Sequence, residues 1–461
     1  MTTCMSRLFV LCCCFIALTA CSGKTPPSPT AGGQPTQAYR LLPHMQPLKD
    51  INSIPQDLMP FAKAAGLDKA LIDPAEQAVQ DRRANRIVFG PWGMTRASLS
   101  KKEVARMFGS PRGYTELGIR WTKAEWDALR SNAQLESYPA LKVRGITTAQ
   151  TSLRELPTNR PTFSKPTPNV QADPFDNFQY SVLHWGTPLF ITHISRDRQW
   201  LMVDTPIASG WVPAADCAFV DDTFVSRYQS GNYAAIISDD VPVHDGVLMR
   251  GKLDIGSFFP IARRSPQEYR LFVPVREASG YAALRQVSFS AEQAATKPMP
   301  ITPRALATLG NKMMGQPYGW GGMLDGRDCS STTRDLFAPF GLWLPRNSVW
   351  QKRTGVSVPL EGLSASEKKQ SIRSGGKPFL SLIWLPGHIA LYVGNRWGQP
   401  VMFHNMWGIR VVEQGDDDAR HVVGRCAITT TEPGKELRNR KDNSLLIDRI
   451  GAFSTLPGNK S

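Results

Sequence analysis

The stretch DGRDCSSTTRDLFAPFG, residues 325–341, predicts a helix that begins beside a cysteine. Asp328 is a good N-cap residue, and apolar residues recur at helical spacing up to Gly341, which favours the end of the helix. Cys329 would then lie in the first turn, where free backbone N–H groups and the helix dipole favour a thiolate. The charge of Asp328 opposes ionisation, so activation of the thiol needs a base from elsewhere. From this stretch alone, Cys329 is a nucleophile, half of a disulfide or a small buried apolar residue.

Two histidines follow on a predicted β-hairpin, LPGHIALYVGNRWGQPVMFHNMWGIRVV, residues 385–412. His388 alternates with aliphatic residues on the first strand, and His404 shares one face of the second. A hairpin symmetric about Arg396 pairs the two histidines directly, with Cβ atoms about 5 Å apart. This arrangement lets one imidazole hold the tautomer of the other while the second faces a thiol. Coincidence and a metal site are the alternatives, but no other His/Cys pair lies nearby at zinc-ligand spacing, so we predict no metal.

The N-terminus predicts export. Arg7 precedes an apolar run, Leu8–Ala20, which is too short to span a bilayer but suits the core of a signal peptide. The small residues before Cys21 resemble a bacterial lipobox, which implies cleavage before Cys21 and lipidation of its thiol; an ordinary signal peptide is the alternative. Ser22 stands where aspartate would be a retention signal, so a double-membraned bacterium would place the lipoprotein at its outer membrane. Residues 23–36, rich in Pro, Gly, Ser and Thr, indicate a flexible tether.

Export changes the reading of the cysteines. The chain has eight, of which only Cys217, Cys329 and Cys426 remain once the signal peptide and the lipidated residue are set aside. An odd number leaves at least one thiol unpaired in an oxidising compartment. A disulfide between Cys217 and Cys426 is one option that the sequence leaves open.

The net charge of +15 favours polyanionic surroundings. No nucleic-acid motif and no repeated basic–aromatic stripe accompanies the charge. Cell-wall carboxylates or lipid headgroups are therefore the expected partners, rather than nucleic acid. Scattered basic residues on solvated faces are the alternative.

The 461 residues allow about two to four domains. The region from residue 48 to 138 has a polar-rich helical pattern, with capping-box spacing from Thr122 to Glu125. Short alternating runs then predict two small β-barrels that resemble bacterial SH3-like domains. The first barrel is expected to open with a strand and a long loop over residues 153–163. A linker with three prolines, Ala295–Pro303, leads into the last domain.

Several motifs of the last domain resemble those of NlpC-type cell-wall cysteine peptidases: YGWGG and RDCSS within residues 318–331, PRNS at 345–348, GHIALYVG and FHN. The resemblance implies a papain-like α+β core with a Cys–His–His triad. It extends to family members with a helical N-terminal segment and two SH3-like domains. Such enzymes are similar to γ-D-glutamyl-L-diamino-acid endopeptidases, which cut peptidoglycan stem peptides between D-Glu and the diamino acid.

Carried over by motif, the resemblance implies that Cys329 is the nucleophile, His388 the general base and His404 the residue that orients it. The backbone N–H of Cys329, with Tyr318, would stabilise the oxyanion. The resemblance also assigns contacts with substrate to Tyr318, Trp320, Asp328, Ser330, Asn347 and Ser348. In this assignment Asp328 pairs with a free α-amine of the substrate.

Two positions depart from the commoner family pattern. Asn347 replaces an aspartate, which removes a negative charge near the expected diamino-acid site, and Ser331 replaces a glycine after the nucleophile. In relatives the first SH3-like domain restricts the cleft to stem peptides with a free N-terminal L-Ala. Gln179 and Tyr180 are candidates for that role, with a place in the structural core as the alternative for each.

The sequence therefore predicts an exported, membrane-anchored thiol hydrolase of the cell envelope that cleaves a γ-D-glutamyl amide and needs no cofactor. A wall-binding lipoprotein with an inert catalytic domain is one alternative, and an amidase or acyltransferase of the same fold is another. The predicted multidomain α+β chain consists of a signal peptide (1–20), a lipidated tether (21–47), a helical segment (48–138), two SH3-like domains (139–222 and 223–297) and a papain-like catalytic domain (298–461).

Overall fold

The computed structural model describes residues 47–166, 174–245, 247–413 and 419–457, all within one compact unit that starts at Gln46. The predicted signal peptide, the lipidation site Cys21 and all but the last residue of the predicted tether lie outside these ranges. Within them, none of the helices combines the length and hydropathy that a membrane-spanning helix needs.

The N-terminal segment is helical, as its sequence predicts. The capping box of Thr122 and Glu125 is confirmed, and Ser100 and Glu103 form a second one. The buried Trp126 packs with aromatic residues of the domain that follows. Its five helices are α1 (Lys49–Ser53), α2 (Met59–Ala64), α3 (Pro74–Val88), α4 (Lys101–Met107) and α5 (Lys123–Asn132).

The first β domain is an antiparallel sheet of seven strands. The described strands run in the order β3-β2-β6-β5-β4-β1-β7, and the two outer strands do not pair, so this SH3-like domain is an open sheet rather than a closed hydrogen-bonded ring. A strand over Val143–Thr147, inside the predicted range 139–222, precedes the segment at residue 153 that was expected to open the barrel. The strands are β1 (Val143–Thr147), β2 (Thr151–Arg154), β3 (Gln179–Leu183), β4 (Pro188–Ile194), β5 (Trp200–Asp204), β6 (Ser209–Pro213) and β7 (Cys217–Phe219).

The second β domain follows a short helix, α6 (Asp222–Tyr228). Its described strands form a five-stranded sheet in the order β13-β12-β11-β8-β14 and a separate two-stranded hairpin of β9 and β10, so this barrel does not close either. The strands are β8 (Tyr233–Ile236), β9 (Val241–Asp245), β10 (Leu248–Leu253), β11 (Phe258–Arg264), β12 (Glu268–Arg276), β13 (Ala282–Ser290) and β14 (Ala294–Lys297).

The last domain packs helices on an antiparallel six-stranded sheet. The sheet order is β15-β20-β16-β17-β18-β19, so β19 lies at an edge. Its strands are β15 (Val356–Pro359), β16 (Ser381–Leu385), β17 (His388–Arg396), β18 (Gln399–Arg410), β19 (Arg420–Thr430) and β20 (Ala452–Thr455). Its helices are α7 (Pro303–Met313), α8 (Cys329–Phe337), α9 (Ser348–Gln351), α10 (Ala365–Gly375) and α11 (Leu446–Arg449).

The helix predicted beside the cysteine is α8. Leu336 and Phe337 are buried with Leu391 and Phe403 of the sheet, which fixes α8 across β17 and β18. The α-helix ends at Phe337, and a 3₁₀ turn follows over Ala338–Phe340. Pro339 lies in this turn, and the ring of a proline inside an α-helix clashes with the carbonyl four residues before it. Helix α8 thus holds its first residue against the strand that carries His388.

A buried ion-pair network joins the last domain to the second β domain. Arg327, two residues before Cys329, donates to both carboxylate oxygens of Asp239 at 2.7 and 2.8 Å. Its Nε donates to Asp335 of α8 at 2.8 Å, and Asp335 in turn contacts His184 of the first β domain at 3.1 Å. The start of α8 is therefore held by groups from all three domains.

Candidate active site

Cys329 is the first residue of α8 and is buried. Asp328 caps the helix by accepting from the backbone N–H of Ser331 at 2.9 Å. Burial, followed by the charge of Asp328, raises the pKa of the Cys329 thiol to about 12, while a hydrogen bond from the backbone of Ile389 acts in the opposite direction. The thiol is thus neutral at neutral pH in the free protein. It needs a base at the moment of reaction.

The three cysteines in the described ranges are all free thiols. A disulfide between Cys217 and Cys426 is therefore not formed, and Cys329 is not bonded to either. Burial raises the pKa of both Cys217 and Cys426. Of the three, Cys329 alone lies at a helix N-terminus, where its thiol meets the backbone of Ile389, the residue after His388 in β17.

His388 and His404 are joined side chain to side chain. His388 Nε2 and His404 Nδ1 are 2.8 Å apart, and the second nitrogen of His404, Nε2, lies 2.9 Å from the hydroxyl of Thr429. His404 is fully buried. The ring contact that the sequence predicts between the two histidines is present.

The register that the sequence predicts for this hairpin is wrong. The turn consists of Trp397 and Gly398, not of a loop centred on Arg396, and the register shifts between Tyr392 and Gly394. Continuing the pairing Leu391↔Phe403 by one residue places residue 390 opposite residue 404. The two histidines therefore meet diagonally on one face, which long side chains still bridge.

Both imidazoles are held neutral. Burial, aided by the Arg449 guanidinium, lowers the pKa of His388 to about 4. Burial and the neighbouring His388 place the pKa of His404 well below its usual range. Arg449 itself donates to the carbonyl of Pro386 at 2.7 Å, in the turn that precedes His388. Neutral His388 is in the protonation state that a general base requires.

The Asp328 carboxylate accepts more hydrogen bonds than the sequence predicts. Arg346 donates to both of its carboxylate oxygens, with Nη1 to Oδ1 at 3.2 Å and Nη2 to Oδ2. The backbone of Gly321 and the hydroxyl of Ser330 donate to it as well, each at 3.1 Å. These bonds and the Arg346 charge keep the pKa of Asp328 low despite its burial. A substrate ammonium would have to displace one of these donors to reach the carboxylate.

Tyr318 and Trp320 belong to an aromatic cluster beside the cysteine. Phe175, from the first β domain, lies 6.3 Å from Tyr318 and 5.2 Å from Trp320 between ring centroids. Trp407 of β18 lies 6.0 Å from Tyr318. Burial, together with the neighbouring Cys329 thiol, raises the pKa of the Tyr318 phenol strongly, so its hydroxyl stays protonated and can donate. The cluster forms an apolar wall shared by two domains.

The first β domain also contacts the loop before the nucleophile through polar groups. Trp320 Nε1 donates to the carbonyl of Asp176 at 3.1 Å, and Gln179 Nε2 donates to the carbonyl of Gly321 at 3.0 Å. Gly321 has a φ of 61°, and a Cβ there would meet Gln179 at 2.6 Å, so the close approach requires glycine. Gln179 is thus a contact between domains. Tyr180 is the other candidate of β3. Burial, followed by the charge of Glu155, raises the pKa of its phenol, and Arg112 acts in the opposite direction.

Asn347 and Ser348 lie at the start of α9. The Asn347 side chain accepts from the backbone N–H of Val349 at 2.8 Å, so it caps this helix as an aspartate would. Asn347 is exposed and Ser348 is partly buried. The change from aspartate to asparagine therefore keeps the cap and removes only the charge.

Sequence reasoning overlooked three side chains that hold the site together. Arg346 stands in the PRNS motif itself, and the need of a buried aspartate for a cation could have singled it out. Gln351 is buried and donates to the carbonyls of Ser330 and Pro345 at 2.8 and 2.9 Å. Thr429 carries no sequence signal, because only the sheet brings it to His404.

The described residues contain no group of three or more His, Cys, Asp or Glu side chains placed to hold a metal ion. The polar groups that converge near Cys329 are hydrogen-bond donors and a neutral imidazole. Such a set suits attack by a thiol on a carbonyl and stabilisation of the charge that develops on its oxygen.

Comparison with family models covers most of the chain in the same order as the domains. The matches are to the NLPC_P60 stabilising domain, N term (residues 10–138), the SH3 domain of SH3b1 type (161–213), the SH3 domain of SH3b2 type (221–266) and the NlpC/P60 family (315–417). The chain contains an NlpC/P60 domain. Cys329, His388 and His404 of this NlpC/P60 protein all fall within the last of these matches.

Two relatives of this NlpC/P60 protein show how far the likeness extends. An NlpC/P60 endopeptidase from Photobacterium damselae subsp. piscicida has a solved structure with a TM-score of 0.76 at 24% identity, covering 89% of this chain and 98% of that one. The likeness shows that the two share a fold. A γ-D-glutamyl-L-lysine dipeptidyl-peptidase from Bacillus cereus is 33% identical over 97 residues, which span 20% of this chain and 27% of the relative.

Proposed function

We propose that this protein is a cysteine peptidase that cleaves the bond between D-glutamate and the diamino acid in peptidoglycan stem peptides with a free N-terminal L-Ala. The observation that carries the proposal is Cys329 at the start of α8, beside a strand whose His388 is bonded to His404 at 2.8 Å. The activity named for the Bacillus cereus relative supports the choice of a γ-D-glutamyl bond.

The reaction begins with a neutral thiol and a neutral imidazole. His388 takes the proton of Cys329 as the sulfur attacks the γ-carbonyl carbon of D-glutamate, and the carbonyl π electrons move to oxygen. The backbone N–H of Cys329 and the Tyr318 hydroxyl donate to this oxyanion. Collapse breaks the C–N bond, and the departing amine takes the proton from His388. Water, deprotonated by His388, then hydrolyses the thioester and returns the thiol.

The stem peptide is proposed to contact both the aromatic wall and the polar groups around Cys329. The aromatic wall of Phe175, Tyr318, Trp320 and Trp407 would contact the start of the stem peptide. Asp328 would attract the α-amine of L-Ala while sharing its charge with Arg346. Ser330, Asn347 and Ser348 remain candidates for contacts on the two sides of the cleaved bond.

Cleavage of defined peptides tests the proposal. The chain from residue 46 is incubated with L-Ala-γ-D-Glu-diaminopimelate, its N-acetylated form and intact murein, and products are identified by mass spectrometry. We expect cleavage of the first peptide by the wild type and by Cys217→Ala, and none by Cys329→Ala. The endopeptidase assignment is abandoned if the wild type cleaves none of the three. Equal cleavage of the acetylated peptide would remove the amine-binding role of Asp328.

We also propose that the protein is exported and attached to a membrane through lipid on Cys21. The small residues before Cys21 and the tether after it support this proposal. Metabolic labelling of the full chain with a fatty acid should mark the wild type and Cys14→Ala, and should not mark Cys21→Ala. Equal labelling of Cys21→Ala would place the lipid elsewhere.

A further inference from the structure

The edge strand of the catalytic sheet is covered by the N-terminal segment. Strand β19 pairs with β18 on one side, and the outer backbone groups of Ile428 and Thr430 point away from that partner. Gln56, between α1 and α2, accepts from the N–H of Ile428 at 2.8 Å and donates to its carbonyl at 3.0 Å. The Gln56 side chain thus satisfies outer backbone groups that an edge strand leaves unpaired.

Asp50 of α1 makes the second attachment. Its Oδ2 accepts from both the backbone N–H and the hydroxyl of Thr430, each at 2.7 Å. Gln56 therefore holds Ile428 and Asp50 holds Thr430, the two neighbours of Thr429 in the strand. We call this pair of attachments the bracket. The bracket lies more than 370 positions away in the chain from the residues it holds.

Thr429 directs the protons of the histidine pair. Its hydroxyl donates to the carbonyl of Thr430 at 2.8 Å, and a hydroxyl has only one proton to donate. With its proton on that carbonyl, the hydroxyl accepts from His404 Nε2, which lies 2.9 Å away. Since His404 is neutral, its Nδ1 carries no proton and accepts from His388 Nε2. The nitrogen of His388 left without a proton is Nδ1, the one free to receive the proton of the thiol.

We propose that Thr429 is a positioning residue that fixes the tautomer of His404, and that Asp50 and Gln56 hold it in place. The N-terminal segment would then act on catalysis through β19, in addition to packing against the domain. Without the hydroxyl, His404 can carry its proton on Nδ1 and donate to His388 Nε2. His388 would then carry its own proton on Nδ1, where it cannot act as the base.

The inference rests on the proposed peptidase function for its kinetic readout, so the tautomer is measured separately. Long-range ¹H–¹⁵N spectra of the histidine rings of the wild type should show His404 protonated at Nε2 and His388 protonated at Nε2. A wild-type spectrum with the proton of His404 on Nδ1 would overturn the proposal without any variant. This measurement remains decisive if the wild type cleaves no stem peptide, an outcome that would reject only the proposed function.

Three substitutions of buried threonines supply the kinetic test. Thr429→Val should lower kcat about tenfold, as the loss of one hydrogen bond in the transition state does, with little change in KM. Thr429→Ser keeps the hydroxyl and should restore both kcat and the Nε2–H signal. Thr431→Val is the matched control, because Thr431 is equally buried and its hydroxyl has no partner among the described residues. Unchanged kcat and an unchanged tautomer in Thr429→Val would refute the role of Thr429.

Variants of Asp50 test the bracket. Asp50→Leu removes the acceptor of both Thr430 bonds and should reproduce the loss of kcat and of the His404 Nε2–H signal. Asp50→Asn retains a side-chain oxygen and should stay near wild type. If Asp50→Leu lowers only the free energy of unfolding and leaves kcat and the tautomer unchanged, the segment stabilises the fold and does not position the site.

Discussion

Arg346 donates to both carboxylate oxygens of Asp328, the residue that caps the helix beginning at Cys329. The pair lies within the protein, with only 14% and 5% of the two side chains exposed. Asp328 is thus a balanced charge rather than a free anion beside Cys329. The pairing explains how a carboxylate can lie next to a thiol that must ionise during the reaction, because Arg346 opposes its effect on the thiol.

Removal of Arg346 is expected to destabilise the protein strongly. Arg346→Met leaves the buried Asp328 carboxylate without its cation, which should lower the free energy of unfolding by about 3–5 kcal/mol. Chemical denaturation measures the change. Arg353→Met, on an exposed arginine over the Trp350 ring, is the control and should cost under about 1 kcal/mol. Asp328→Asn added to Arg346→Met should recover stability, since asparagine caps without a charge; a further loss would contradict the account.

The acid side of the activity profile is expected to follow His388. The base must be neutral, and its pKa is lowered to about 4, so kcat/KM should fall as the pH drops through about 4 rather than through 6.5. Arg449→Gln removes a cation that lowers this pKa, so the acid limb should move to higher pH. Arg373→Gln, on an exposed residue that bonds Gly398, is the control. A limb that does not move in Arg449→Gln would show that another group controls it.

The network at Arg327 predicts a stability difference between two adjacent aspartates. Asp239→Asn breaks a buried pair with Arg327 and should lower the free energy of unfolding by about 3–5 kcal/mol. Asp240→Asn breaks an exposed pair with Lys252 and should cost under about 1 kcal/mol. The pKa of Asp239 is lowered in the folded state, so its contribution is present at neutral pH and is lost as the pH falls below 3.8. Denaturation at several pH values should therefore show the Asp239→Asn difference shrinking in acid.

The aromatic wall predicts an effect on substrate binding. Phe175→Ala removes the ring that contacts Tyr318 and Trp320, and should raise KM about threefold to tenfold with kcat little changed. Steady-state kinetics on the unacetylated stem peptide measure both constants. Tyr281→Ala alters another aromatic contact between domains, with Phe219 at 5.9 Å, and should leave KM unchanged. Equal effects of the two variants would exclude a specific role for Phe175.

Short-range patterns in the sequence predicted most of the catalytic domain correctly. The cap at Asp328, the helix after Cys329 and the shared face of His388 and His404 depend on residues a few positions apart, where helical and strand periodicities apply. The hairpin register was predicted wrongly because the two-residue turn shifts the pairing by three residues and the bulge near Val393 takes back only one of them. The two SH3-like domains were predicted, but the open edges of their sheets were not, since closure depends on pairing between distant strands.

By itself the sequence determined that a helix begins at Cys329, that two histidines share one face of a hairpin, and the order of the domains, because local motifs and alternating or helical patterns specify each of these features. Only the tertiary structure decided which cation balances Asp328, which ring of the first β domain covers Tyr318, and which hydroxyl meets His404. These pairings join residues that are far apart in the chain. They are fixed by the need of buried charges and polar hydrogens for partners, which no local pattern records.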